Sequence, residues 1–129
     1  MFGKAIVAVA ACAFTAAPLA LAQSGVRDVK ITESEWGIAG VPMTIKAGTK
    51  LRITVTNKGG VQHELVLENG NCAKQCAVKL AGRNAELENL APGASKSAVW
   101  QITKPGSYTF TCRKPGHWKA GMRKTFTVS

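Results

Sequence analysis

Histidine is scarce in this 129-residue chain, with two in all, and acidic residues number seven against seventeen lysines and arginines. The absences exclude much. No glycine-rich loop is placed to cradle phosphate, no Cys-x-x-Cys-His run could attach haem, and no His-Glu-x-x-His pattern could build a zinc helix. Past the N-terminal leader described below, no apolar run is long enough for a transmembrane helix. The length bounds the protein to one domain. The 46 % apolar and 19 % charged shares fit a globular core.

Residues 1–22 read as a cleavable secretory signal peptide: Lys4, then an Ala/Val/Ile-rich stretch, then Ala20-Leu21-Ala22 before Gln23. A membrane anchor fits less well, because Thr15 and Pro18 break the apolar stretch. A lipidation box ending in Cys12 is the other alternative, although its apolar segment is short. Cleavage leaves a mature domain at 23–129, a periplasmic location and a net charge of +9, reduced from +10 by loss of Lys4. Cys12 leaves too, so Cys72, Cys76 and Cys112 remain. In an oxidising compartment three cysteines leave one that must stay unpaired, bind metal or bridge chains.

The mature chain reads as short strands. Leu51, Ile53 and Val55 alternate with polar partners, as do His63, Leu65 and Leu67 against Glu64 and Glu68. Ala98, Trp100 and Ile102 repeat the pattern, then Tyr108, Phe110 and Cys112, then Phe126 and Val128. Further strands are expected near Val29–Thr32 and Met43–Ala47. Turn chemistry separates them at Lys58-Gly59-Gly60, Asn69-Gly70, Pro92-Gly93, Pro105-Gly106 and Pro115-Gly116. Only Cys72–Glu88 lacks clean alternation and reads as a loop with one helical turn and a short strand. The fold class is all-β, a sandwich or small barrel.

Chemistry concentrates in Cys112-x4-His117-x4-Met122, one turn-rich loop between two strands. His63 lies far upstream, on the same strand face as two leucines. Each residue alone has a plain structural reading: a core cysteine, a hydrogen-bonded histidine, a methionine filler. Jointly those readings are strained, because both histidines and the odd cysteine fall in one pattern. A thiolate, two imidazoles and a thioether suit copper cycling between Cu(I) and Cu(II), with His63, Cys112 and His117 in a plane and Met122 axial. Zinc also takes Cys and His, but a thioether is a poor zinc ligand.

With Ile53-Thr-Val-Thr-Asn57, His63-Glu-Leu-Val-Leu67, Asn89-Leu-Ala-Pro-Gly93, Lys104-Pro-Gly-Ser-Tyr-Thr-Phe-Thr-Cys112 and Pro115-Gly-His-Trp-Lys-Ala-Gly-Met122, the chain resembles a cupredoxin of the plastocyanin/azurin type. It is most similar to the small bacterial group with a Cys-x4-His-x4-Met loop. The resemblance implies a Greek-key β-sandwich with one type 1 (blue) copper at one end, held by His63, Cys112, His117 and Met122. It implies a carrier of single electrons rather than an enzyme. A metal-handling role is the alternative: copper tolerance or storage, or Fe(II) oxidation beside an iron-uptake system. A multicopper oxidase would need many more histidines. The stretch Gly70–Glu86 departs from the family pattern.

Backbone N–H groups of Asn57–Gly60 and Arg113–Lys114 are the expected donors to the Cys112 sulfur. His117, beside Pro115, Gly116 and Trp118, is the expected electron port. Arg113, Lys114, Lys119, Arg123 and Lys124 crowd the same loop without an acid. With Trp118 they form an expected docking face for an acidic redox partner, a cytochrome or an oxidase, which a monomer would meet at a small transient interface. Nucleic acid is the competing partner of so basic a domain. Export and the lack of aromatic residues for stacking on a basic face speak against it. Cys72 and Cys76 are expected to form a local disulfide, or else to hold a second soft metal such as Cu(I) from one face of a helical turn.

Overall fold

The computed structural model describes residues 10–13 and 25–129. The leader boundary at Ala22 lies outside them. Eleven strands follow one another: β1 (Arg27–Ser34), β2 (Gly37–Ala39), β3 (Thr44–Ile45), β4 (Lys50–Asn57), β5 (His63–Asn69), β6 (Lys79–Leu80), β7 (Arg83–Asn84), β8 (Glu86–Leu90), β9 (Ser95–Gln101), β10 (Gly106–Thr111) and, after the one-turn helix α1 (His117–Ala120), β11 (Arg123–Val128). One sheet has the order β2-β1-β4-β9 and the other β3-β11-β10-β5-β8, with β6 and β7 forming a separate small hairpin. The β1–β4 and β3–β11 pairs are parallel and the remaining pairs antiparallel. This is the all-β sandwich expected from the alternation.

Period-two patterning explains the core. Val29 and Ile31 of β1, Leu51, Ile53 and Val55 of β4, and Trp100 of β9 face Leu65 and Leu67 of β5, Phe110 of β10 and Phe126 of β11. Trp100 stacks on Phe110 across the sandwich at 6.3 Å between ring centroids, and Phe110 on Phe126 at 5.0 Å. Such pairs add to the free energy of burying the rings.

Two local expectations are corrected. The segment Cys72–Glu88 holds no helical turn; it carries β6, β7 and the start of β8, with Ala77 bridging Glu68. The helical turn lies instead at His117–Ala120, where Gly116 caps it at φ 81°, a left-handed conformation that suits glycine. Glu68, outward by alternation, is fully buried. Its carboxylate pairs with the Arg113 guanidinium at 2.9 Å, and Arg113 also donates to the Cys72 carbonyl at 2.8 Å, so the 72–76 segment roofs this face. A buried carboxylate that carries its charge needs such a partner.

Candidate metal centre

His63 opens β5, and Cys112 follows β10, the strand antiparallel to β5 (Phe110 opposite Leu67, Thr111 opposite Val66). Both side chains point inward from neighbouring strands, and both are fully buried. The 112–122 loop folds back because its ends pair. Cys112 N–H donates to the Met122 carbonyl at 3.0 Å, and Met122 N–H to the His117 carbonyl at 3.1 Å. The single turn of α1 between them lifts His117 over the centre. Met122, at the loop's end, is fully buried in the core cluster.

Three of the four expected ligands converge. His63 Nδ1 lies 3.2 Å from His117 Nδ1, Cys112 Sγ lies 3.3 Å from His117 Nδ1, and Cys112 Sγ lies 3.9 Å from His63 Nδ1. A point equidistant from these atoms is about 2.0 Å from each, close to the bond lengths of a divalent ion to imidazole (~2.0–2.1 Å) and thiolate (~2.3 Å). Two imidazoles and one thiol with a thioether at the loop's end form a set suited to copper. The residues present fit one such ion.

The electrostatics of the two donors differ in sign. Burial pushes the Cys112 thiol pKa up, opposed by backbone N–H groups of Lys114 and Glu64 that favour the thiolate. Lys114 was an expected donor; Glu64 was not. The N–H groups of Asn57–Gly60 are committed elsewhere, to the Ala94 and Glu33 carbonyls and to the Asn57 and Glu35 side chains. Burial, then the neighbouring His63, lowers the His117 pKa, which keeps a nitrogen lone pair available for metal.

Three neighbours escaped the sequence reading. The Glu35 carboxylate accepts from His63 Nε2 at 2.9 Å. Hydrogen bonds from Gly60 N–H, then His63 and Val61 N–H, hold its pKa below the usual carboxylate value despite partial burial. Trp36, about half exposed, sets its ring edge against His117 at 4.9 Å. Glu33 is fully buried near the centre with both carboxyl oxygens unpartnered. Its pKa is pushed up to about 8, first by burial and then by Glu64. Glu33 could have been found by extending the alternation of Val29 and Ile31 one step further.

The expected docking residues are only partly free. Arg113 is committed to Glu68. Arg123 donates to the Trp118 carbonyl at 2.7 Å and lies over its ring at 4.3 Å, with Arg113 near the same ring at 5.0 Å. Lys114 Nζ reaches Asn89 at 3.4 Å. Lys119, Arg123 and Lys124 are exposed, and Trp118 is half-buried. Cys72 and Cys76 form the expected disulfide, which ties up both sulfurs. Among the described residues, His63, Cys112 and His117 form the one cluster of potential metal donors found, and no helix is long and apolar enough to cross a membrane.

Comparison with known proteins points to the same metal. A family model described as copper binding proteins of the plastocyanin/azurin family matches residues 28–129. The copper-resistant cuproprotein CopI of Rubrivivax gelatinosus is 36 % identical over 86 residues, covering 62 % of this chain and 52 % of CopI. Auracyanin-B of Chloroflexus aurantiacus is 30 % identical over 120 residues, covering 79 % of this chain and 51 % of the relative. The chain thus spans about half the length of the curated relatives it matches. A solved auracyanin B structure superposes with a TM-score of 0.64 at 28 % identity, over 80 % of this chain and 88 % of that one.

Proposed function

The chain belongs to the plastocyanin/azurin family of copper-binding proteins, and from that premise we propose that it is an exported, periplasmic carrier of single electrons, with His63, Cys112, His117 and Met122 as the ligands of one type 1 copper. The observation that carries this reading is the convergence of two imidazole nitrogens and one thiol sulfur within 3.9 Å of one another, at the buried end of a sandwich. When bound, the copper supplies a one-electron couple between Cu(I) and Cu(II).

The chain's own residues hold that centre still. His63 and Cys112 stand at the ends of paired strands, and backbone bonds between Cys112, Met122 and His117 close the loop. Little then has to move when an electron arrives or leaves, which is what a carrier needs. Burial keeps water from the Cys112 sulfur, and the Lys114 and Glu64 N–H groups stabilise its negative charge. His117, half-buried behind the edge of Trp36, is the one of the four ligands that is not fully buried, and electrons pass there. Lys114, Lys119, Arg123 and Lys124 around Trp118 steer an acidic redox protein to this end, a cytochrome or an oxidase.

The copper-tolerance reading rests on the match to CopI. The Cys72–Cys76 disulfide weighs against it, since it leaves a single donor cluster among the described residues. Optical and EPR spectra during Cu(II) titration, followed by stopped-flow reduction with a c-type cytochrome, separate the two. An intense blue band saturating at one copper per chain, with fast reversible exchange, supports the carrier. Uptake of further copper, or exchange too slow for turnover, sinks it in favour of metal handling.

A further inference from the structure

A metal-binding imidazole has two ring nitrogens, and only the one without hydrogen can donate to metal. His63 Nδ1 faces the donor cluster, 3.2 Å from His117 Nδ1, while Nε2 lies 2.9 Å from Glu35 Oε1. An ionised carboxylate accepts and never donates, so the hydrogen belongs on Nε2 and the Nδ1 lone pair points inward. Among the described residues His63 is the one histidine paired with a carboxylate; the ring of His117 meets Trp36 instead.

The carboxylate is held by a loop shaped for it. Gly60 N–H reaches Oε2 at 3.0 Å and Oε1 at 3.1 Å, and Val61 N–H reaches Oε1 at 3.2 Å. A Cβ at Gly59 would meet the same carboxylate, so a side chain there would push Glu35 out of this position. Buried Asn57 pins the loop in turn. Its Oδ1 accepts from Gly59 N–H at 2.8 Å, and its Nδ2 donates to the Val61 and Leu90 carbonyls at 2.8 and 2.9 Å. A glutamate serving only to satisfy a turn would have no reason to place its other lone pairs on a histidine of the metal site.

We infer that Glu35 is a positioning residue of the copper centre: it fixes His63 as an Nδ1 donor and sets a negative charge one imidazole away from the metal, which favours Cu(II) over Cu(I). The inference rests on the ligand assignment made above. A carboxylate behind a ligating histidine orients the ring and raises its basicity, and its charge stabilises the more positive oxidation state.

Two substitutions separate positioning from charge. Glu35→Gln keeps an oxygen for the Nε2 hydrogen and removes the charge; Glu35→Ala removes both. Cu(II) and Cu(I) affinities are measured separately by competition titration, alongside the reduction potential and the optical and EPR spectra. The glutamine variant should keep the blue band, bind Cu(II) about tenfold less tightly relative to Cu(I), and shift to higher potential by the corresponding ~59 mV. The alanine variant should lose about 10–100-fold in Cu(II) affinity with altered hyperfine splitting. Unchanged affinities and potential in both variants overturn the inference, even if the melting temperature falls. Two-bond 1H–15N NMR on the metal-free protein tests it without any variant: hydrogen on His63 Nε2 supports it, and hydrogen on Nδ1 overturns it. If the unaltered protein shows no blue band, the ligand assignment fails first and the inference falls with it.

Discussion

Glu33→Gln should remove a pH dependence of stability that the unaltered protein carries between pH 4.5 and 8. The Glu33 side chain is fully buried, neither oxygen has a partner, and its pKa moves from 4.5 to about 8 because burial disfavours the charged form. On unfolding the group returns to its ordinary value. Below pH 4.5 both states hold the proton and the neutral carboxyl contributes fully. Between 4.5 and 8 the unfolded chain releases it while the folded chain keeps it, so stability falls as pH rises. Above 8 both are ionised and the loss is complete. At ~1.4 kcal/mol per pH unit the whole swing is on the order of 5 kcal/mol, with about 3 kcal/mol of it between pH 5 and pH 8. For a domain of this size that is roughly 15 °C in melting temperature. The assay is urea and thermal unfolding of the metal-free protein, since positive charge at a loaded centre would pull the Glu33 pKa back down. Other shifted groups, such as Glu35, Glu86 and His117, titrate in both proteins and cancel in the difference. The variant should gain on the parent steadily from pH 5 to pH 8. A stability difference that stays constant over that range would refute a neutral, buried Glu33.

Cys112→Ser should abolish the blue charge-transfer band and leave the far-ultraviolet β-sheet spectrum intact; a retained band would remove Cys112 from the ligand set. Met122→Gln should keep copper and lower the reduction potential, because an oxygen donor favours Cu(II) more than a thioether does. An unchanged potential measured by voltammetry would mean that Met122 is not axial. Neutralising Lys114, Lys119 and Arg123 together should slow reduction by an acidic partner at low ionic strength and flatten its salt dependence. Unaltered rates and salt slope in stopped-flow traces would place the docking face elsewhere.

What the sequence disclosed was what one-dimensional periodicity and residue type can encode. Leu51, Ile53 and Val55 announce a half-buried strand by alternation alone, and the structure buries all three. The His63, Cys112, His117 and Met122 set was conspicuous because soft donors are rare and these four are the right kinds. Glu35 had no such signature. It sits in a turn, and its meaning comes from Gly60 and Val61, which reach it only after β1 and β4 have paired in parallel. Glu68 was misplaced for a related reason: alternation tells which face a residue takes, not whether that face is roofed. The roof is the 72–76 segment, and Arg113, read as one more surface cation, is what ties it down.

The distribution of ligands over the fold bears on why the centre can be both rigid and accessible. His63 and Cys112 are continuous with strands whose backbone bonds run through the core, so displacing either means breaking sheet pairing. His117 and Met122 come from a loop, where mobility would be expected. Here the loop is tied at both ends: backbone bonds link Cys112 to Met122 and Met122 to His117, and Arg113 fastens its start to Glu68 and the disulfide-closed segment. His117 itself is only half-buried, and the half-exposed Trp36 sets its ring against it at 4.9 Å. Restraint is thus concentrated on the buried donors, and His117 is the donor left partly exposed, on the side where the proposed partner would dock. Moving an electron quickly requires both conditions at once, and a site built only to store copper requires neither.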